Sequence, residues 1–289
     1  MSNVLAIDVG GTKIAAGVVD ETGHILRSTS EPTPRAADAE AVWSALTAAV
    51  DRVQPGPVEA VGVGCAGPMT AHGQTVSPLN IAGWRGFPLL SRLQADHPGT
   101  VVVDGDAKAL AVAEGWRGAA VGTRDFLAMV VSTGVGGGLV VDGRLLDGGR
   151  GNAGHVGHVI VADDGALCGC GGRGCLEAEI SGTAIGRRLG APAASAPPQE
   201  VQRAGRLLGQ GLASVVNLLD LDLVAVGGSV ALGFGAPFFQ AANESLRLTS
   251  RLDFTAKAEV VPVGLGRSGP LVGAAGLAWR GLGHDVGVR

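Results

Sequence analysis

The stretch Gly151–Glu177, GNAGHVGHVIVADDGALCGCGGRGCLE, holds three of the chain's four cysteines and two of its six histidines. Its potential ligands are spaced His158-x9-Cys168-x-Cys170-x4-Cys175. Three thiolates and one imidazole form the closed tetrahedral donor set of a structural zinc. Glycines at 169, 171, 172 and 174 let the backbone wrap a small ion. A disulfide knot competes with this reading, but the chain shows no export signal to place it in an oxidising compartment. Three cysteines within eight residues also argue against inert buried thiols. His155 and His158 lie on one turn, and only one of them is needed to complete the metal. His155 is then free to face a cavity, and Glu177, two residues past Cys175, is held by the same ion. Their plainer readings are an exposed loop histidine and a helix-start carboxylate favoured by the dipole.

A second kind of chemistry is written in glycine turns. Asp8 ends an apolar run and leads into Gly10-Gly11-Thr12-Lys13, while Ser132-Thr133-Gly134 ends another and leads into Gly136-Gly137-Gly138. Gly227-Gly228 follows a third. Such turns present backbone N–H groups to phosphate oxygens where a Cβ would hold the ligand away. Asp8 is placed to reach a Mg²⁺ on those phosphates, since hard cations take oxygen ligands. A GxxxxGK[ST] loop is absent, and Gly62-x-Gly64-x-x-Gly67 is followed by Pro68, where a dinucleotide fingerprint should start its helix. One glycine turn is usually just a hairpin; two matched ones and a third site favour a nucleotide. Asp106 follows the apolar run Val101–Val103 and precedes a helix, the position where ligand groups collect in α/β sheets. A carboxylate there can take the proton of an attacking hydroxyl in phosphoryl transfer. Alternatively it caps the helix at Ala107. Asp104 can share either role.

The elements that must position these residues alternate between strand and helix. Val4–Ile7, Ile14–Val19 and His24–Ser28 read as a β-meander, and Ala36–Arg52 as a helix with Val42, Leu46 and Val50 on one face. Strands are expected at Val58–Gly64, Val101–Asp104, Leu127–Val131, Leu223–Val226 and Val260–Val263. Helices are expected at Pro88–Gln94, Ala107–Trp116, Ser181–Leu189, Val201–Leu219, Ala236–Leu248 and Gly273–Arg280. The order of Leu5–Leu26 recurs from Leu127 to Leu146: strand, polar-glycine turn, strand, Asp-containing turn, strand. Two copies of one unit suggest two similar halves of an α/β protein. A length of 289 residues suits two domains. A net charge of −4 and a pI near 5.9 make no electrostatic case for nucleic acid or a membrane surface. No apolar run reaches transmembrane length, and a cytoplasmic setting is expected.

Taken together, the motifs resemble the ROK family of sugar kinases and repressors. The resemblance spans nearly the whole chain. It is carried by Asp8-Val-Gly-Gly-Thr-Lys13, Gly64-Cys-Ala-Gly-Pro68, Asn80 with Gly83-Trp84, Asp106-Ala107 and Ser132-Thr-Gly-Val-Gly-Gly-Gly138. Further matches are Gly157-His158, Cys168-Gly-Cys-Gly-Gly-Arg-Gly-Cys175-Leu-Glu177 and Gly227-Gly-Ser229. It implies a two-domain actin/hexokinase-like (ribonuclease H-like) fold, with a deep cleft whose walls close over ATP and a hexose. Residues 1–117 with a C-terminal helix at about 273–289 would form the smaller domain, and 118–272 the larger, zinc-bearing one. By position, Asp106 resembles the base that deprotonates the sugar 6-hydroxyl. Gly67, Asn80, Gly105, His155, His158 and Glu177 resemble the sugar contacts. Asp8, Gly10, Gly11, Thr12, Lys13, Thr133, Gly134, Gly136 and Gly228 resemble the nucleotide contacts. A homodimer is also implied.

Two positions depart from the family pattern. Gly105 stands where asparagine commonly precedes the base, and His155 where glutamate commonly contacts the sugar. The His-x-Gly-His variant is similar to bacterial N-acetylmannosamine kinases, which makes that sugar the expected substrate and glucose the second choice. A histidine donates where a carboxylate only accepts, so the change recasts specificity or removes catalysis. Lys108 occupies a position that is often neutral in the family, and solvent is its simplest destination. A catalytically silent sugar binder is one rival reading. A repressor is the other; it would need a helix-turn-helix ahead of the strand that here begins at Val4.

Overall fold

Runs of apolar residues broken by glycine turns set the topology. The structure, a computed structural model, describes residues 2–35 and 38–289. It divides into two compact units, one made of Met1–Gly122, Arg144–Ala153 and Leu265–Arg289, the other of Thr123–Gly143 and Gly154–Gly264.

In the first unit, β1 (Asn3–Val9), β2 (Lys13–Asp20) and β3 (Ile25–Pro32) form the expected meander, each pairing antiparallel with the next. β4 (Ala60–Cys65) pairs parallel with β1, and β5 (Thr100–Gly105) pairs parallel with β4, so the sheet order is β3-β2-β1-β4-β5. Asp8, Gly64 and Asp104 fall at one level across the three parallel strands. Helix α1 (Ala39–Val53) starts where the Asp38 side chain accepts the Glu40 N–H, and it buries Val42, Leu46, Ala49, Val50 and Val53. The expected start of this helix at Ala36 and Ala37 lies outside the described residues. Helices α2 (Leu89–Asp96) and α3 (Asp106–Arg117) follow as expected, within two residues at each end. The short strand β8 (Arg144–Leu145) and the helix α9 (Gly269–Gly281) complete this unit. Two glycines bring α9 in to backbone contact: a Cβ on Gly62 would stand 1.8 Å from the Ala274 carbonyl oxygen, and one on Gly273 would stand 2.2 Å from that of Ala109.

In the second unit, β6 (Phe126–Val131) and β7 (Val135–Val141) form an antiparallel hairpin, β9 (Leu223–Gly227) runs parallel to β6, and β10 (Glu259–Pro262) parallel to β9. The order β7-β6-β9-β10 repeats β2-β1-β4-β5, so the repeat in the sequence is a repeat of topology. Helices α5 (Gly182–Leu189), α6 (Pro198–Leu219) and α8 (Ala236–Thr249) match expectation. Of two further short helices, α4 (Leu176–Ile180) carries Glu177 in its first turn, as the plainer reading of that residue had it, and α7 (Ser229–Phe234) was not foreseen. At five and six residues they are too short to show a full apolar period. Among the described residues, no helix is long and apolar enough to cross a membrane.

Gly62→Ala is expected to destabilise the protein by about 1–3 kcal/mol or more, because carbonyl backbone cannot move aside as a side chain can. Gly233→Ala, whose Cβ would meet nothing within 4 Å, should leave stability unchanged or slightly raised. Urea unfolding of both variants checks the contrast; equal midpoints would refute the α9 contact.

Candidate functional site

The first unit gathers its polar residues at the carboxyl ends of the parallel strands. Asp8 is the last residue but one of β1, and the chain then turns through Gly10–Lys13, closed by a bond from the Gly10 N–H to the Lys13 carbonyl at 3.0 Å. Thr33 holds this turn from the end of β3: its hydroxyl donates to Gly10 O at 2.6 Å and its N–H to Thr12 O at 3.0 Å. Thr12 and Lys13 remain exposed. The Asn80 side chain lies against the same turn, since a Cβ on Gly11 would fall 2.6 Å from Asn80 Nδ2. Gly67 precedes a cis peptide bond to Pro68, and no helix starts there, so the glycines of β4 form no dinucleotide fingerprint.

Asp106 opens α3, and its Oδ1 accepts the Ala107 N–H at 2.8 Å. It stands near Asp8. Gly64 separates them, with a hypothetical Cβ 3.5 Å from Asp106 Cα and 3.9 Å from Asp8 Oδ1. Burial, then the negative charge of Asp106, pushes the Asp8 carboxyl up to about 7, with Lys13 opposing. Burial likewise raises the Cys65 thiol well above its usual range, helped by both carboxylates. The Asp8 carboxylate and the Asp106 backbone on either side of one glycine, with the two acids electrostatically coupled, suit a bound cation or a proton transfer. Asp104 does not share that site. Its Oδ1 accepts the Gly105 N–H at 2.8 Å and pairs with Lys108 Nζ at 3.2 Å. Its carboxyl is raised by burial, with Lys108 opposing. Lys108 also departs from expectation: it is 4% exposed rather than solvent-facing. Two carboxylates meet its ammonium, Asp147 Oδ1 being the closer at 2.8 Å.

In the second unit, His158, Cys168, Cys170 and Cys175 bring their ligand atoms within 4.8 Å of one another. Cys170 Sγ lies 3.7 Å from Cys175 Sγ, and Cys168 Sγ 3.7 Å from His158 Nδ1. The edges of a tetrahedron of thiolates about 2.3 Å from zinc measure about 3.7–3.8 Å, so the donor set fits that ion in type and in spacing. His158 ends a single helical turn, Val156–His158. Gly154 and Gly157 let this turn lie on β7, where a Cβ on either would come within 2.0 and 2.3 Å of the Gly137 and Val135 carbonyl oxygens. Cys175 immediately precedes α4, and from that helix Glu177 Oε2 accepts the Val135 N–H at 2.8 Å. The exposed His155 ring lies 5.9 Å from that of His158.

The hairpin turn between β6 and β7 carries Thr133, Gly134 and Gly136. Ser132 Oγ lies 2.9 Å from Ser229 Oγ, and the Thr183 hydroxyl donates to Thr133 O at 2.9 Å. Gly228 approaches the end of β6 so closely that a Cβ would stand 2.3 Å from Val131 O. Beside this turn opens a cavity of about 420 Å³ lined by Ser132, Thr133, Thr183, Ser229, Val230 and Phe234 among others. Ser132 and Ser229 stood in the quoted motifs without a role of their own, and Thr183 and Phe234 were not singled out from the sequence.

The ROK family model matches residues 4–280. A glucokinase of Streptomyces coelicolor is 32% identical, over 96% of this chain and 98% of its own. An N-acetylmannosamine kinase of Yersinia pseudotuberculosis is 36% identical, over 81% of this chain and 86% of its own. The crystal structure of a ROK family glucokinase from Streptomyces griseus, in complex with glucose and AMPPNP, superposes with a TM-score of 0.83 at 34% identity, covering 96% of this chain and 100% of that one. The fold is the mixed α/β, actin/hexokinase-like one that the resemblance implied.

Protein purified without added metal is expected to carry about one zinc per chain by plasma mass spectrometry. Cys170→Ser, at an exposed position, should lower that content and the Tm together. Undiminished zinc in this variant would overturn the ligand assignment.

Proposed function

The chain belongs to the ROK family, and we propose that it transfers the γ-phosphoryl group of ATP to the 6-hydroxyl of a hexose or N-acetylhexosamine. N-acetylmannosamine is the leading substrate and glucose the second. Its class is that of the ROK sugar kinases. The observation that carries the reaction type is the placement of Asp106, at the first turn of a helix following a parallel strand and paired electrostatically with Asp8. The choice of sugar is supported by His155-x-Gly-His158 and by the relative from Yersinia.

In this reading the first unit supplies the base and the acceptor contacts. Asp106 receives the proton of the 6-hydroxyl as it attacks, the main proton-transfer task in a reaction otherwise governed by positioning and charge. Asn80 and the backbone at Gly67 and Gly105 orient the sugar. Gly10, Gly11, Thr12 and Lys13 hold phosphate oxygens. Asp8 would hold a Mg²⁺, which when bound neutralises phosphate charge. The second unit supplies His155, His158 and Glu177 as sugar contacts. There Thr133, Gly134, Gly136 and Gly228 hold the nucleotide, and the neighbouring cavity takes its nucleoside end. The zinc would fix the loop bearing His158 and the start of the helix bearing Glu177. The proposal extends to a cytoplasmic homodimer, carried for the dimer by the resemblance alone.

An ADP-release assay over glucose, mannose, N-acetylglucosamine and N-acetylmannosamine tests the reading. Turnover is expected, highest with N-acetylmannosamine; none with any sugar would leave a silent binder. Asp106→Asn is expected to lower kcat by about 10²–10⁴-fold while calorimetric sugar binding survives. Wild-type turnover in that variant would reject Asp106 as the base.

A further inference from the structure

We propose that Lys108 is a positioning residue for the catalytic base, clamping the turn that carries Asp106 through a paired contact with Asp104 and Asp147. The proposal rests on the kinase reading above. Lys108 sits in the first turn of α3, where the helix dipole disfavours a cation. Its side chain is 5% exposed, and a buried ammonium is strongly unfavourable unless it is well paired. An apolar residue would serve stability at this position at least as well. The chain instead commits two carboxylates to the lysine.

The geometry shows what the commitment achieves. Nζ reaches back 3.2 Å to Asp104 Oδ1, the same oxygen that accepts the Gly105 N–H. Asp104 through Lys108 is therefore a five-residue loop tied at its ends, with Asp106 at its centre. The lysine stem passes beneath Gly105, where a Cβ would lie 3.8–3.9 Å from Lys108 Cβ, Cγ and Cδ. Gly105 has φ −60° and ψ 139°, a conformation open to any residue, so its lack of a side chain is not forced by the backbone. With no side chain at 105 to fix the turn, the lysine supplies the restraint from below.

Asp147 anchors the clamp from outside at 2.8 Å. Its own segment is fastened to the same unit by Asn152, whose side chain exchanges bonds of 2.9 and 3.3 Å with the Met69 backbone. Leu145 adds a bond to the Arg289 carbonyl at 2.8 Å.

Steady-state kinetics of Lys108→Met, Lys108→Arg, Asp147→Asn and the Lys108→Met/Asp147→Asn double variant test the clamp. Lys108→Met should lose about 10–100-fold in kcat, the effect of a slightly misplaced base, with KM for ATP within about twofold. Arginine should restore part of the loss. Asp147→Asn should fall in the same direction, and the double variant should be no worse than Lys108→Met alone, since the two act through one contact. A folded Lys108→Met enzyme at full kcat, or losses that multiply, would refute the clamp. If methionine prevents folding, Asp147→Asn decides: its carboxylate is more than half exposed, so a folded variant at full kcat also refutes it. Wild-type protein inactive on every sugar would instead refute the kinase reading itself.

Discussion

The second unit gathers four donor atoms within 4.8 Å of one another, and a shared metal is the interaction that would hold them there. Three thiols and an imidazole gathered this closely have no apolar core of their own to account for the arrangement. Among the described residues, Cys168 and Cys175 share a small buried cluster with Ala178. A zinc bound there, as proposed, would tie together two other things. One is the turn of His158, which lies on β7 through glycines that permit backbone to lie on backbone. The other is the start of α4, from which Glu177 reaches the Val135 N–H. The helix start beside that cluster and the β6–β7 hairpin are joined by one hydrogen bond, from the Val135 N–H to Glu177.

The first unit is organised by a different constraint, the shared level of Asp8, Gly64 and Asp104 on three parallel strands. Of these, glycine is the permissive member. With no side chain at 64, Asp8 and the first turn of α3 come close enough for the charge of Asp106 to add to burial in pushing the Asp8 carboxyl up to about 7. At the same level Asp104 is neutralised by Lys108. Neighbouring acids on one sheet edge are thereby sorted: one is paired and silent, the others are left to interact with each other.

Much of this was legible in the residues. Apolar runs of strand length and the glycine turns between them gave the strands of both sheets, though β3 runs to Pro32, four residues past its expected end, and the repeated opening gave the repeated topology. The cysteine spacing gave the metal-type cluster. What escaped was either too short or dependent on packing. Helix α7 completes barely one turn and a half, so periodicity had nothing to register, and α4, equally short, was signalled only by the acid at its start. Lys108 resembled a solvent-facing charge because neither of its partners can be read as one from linear spacing alone: Asp104 lies four residues back across a strand–helix junction, and Asp147 lies 39 residues on. The hydroxyls of Ser132, Thr183 and Ser229 come together only when the ends of β6 and β9 and the start of α5 have been folded side by side.

The first unit also carries a consequence for how the chain is made. Its sheet is specified by the opening hundred or so residues, yet α9, whose Ala274 carbonyl rests against Gly62, is specified by the last few dozen. On a ribosome, β4 and α3 emerge early and wait with that face uncovered while the whole of the second unit is synthesised. The second unit needs nothing beyond Gly264 and can finish first. The half that begins the sequence is therefore the half completed last, and a chain cut short near its end would lose the covering of the first sheet while keeping the metal-type cluster whole.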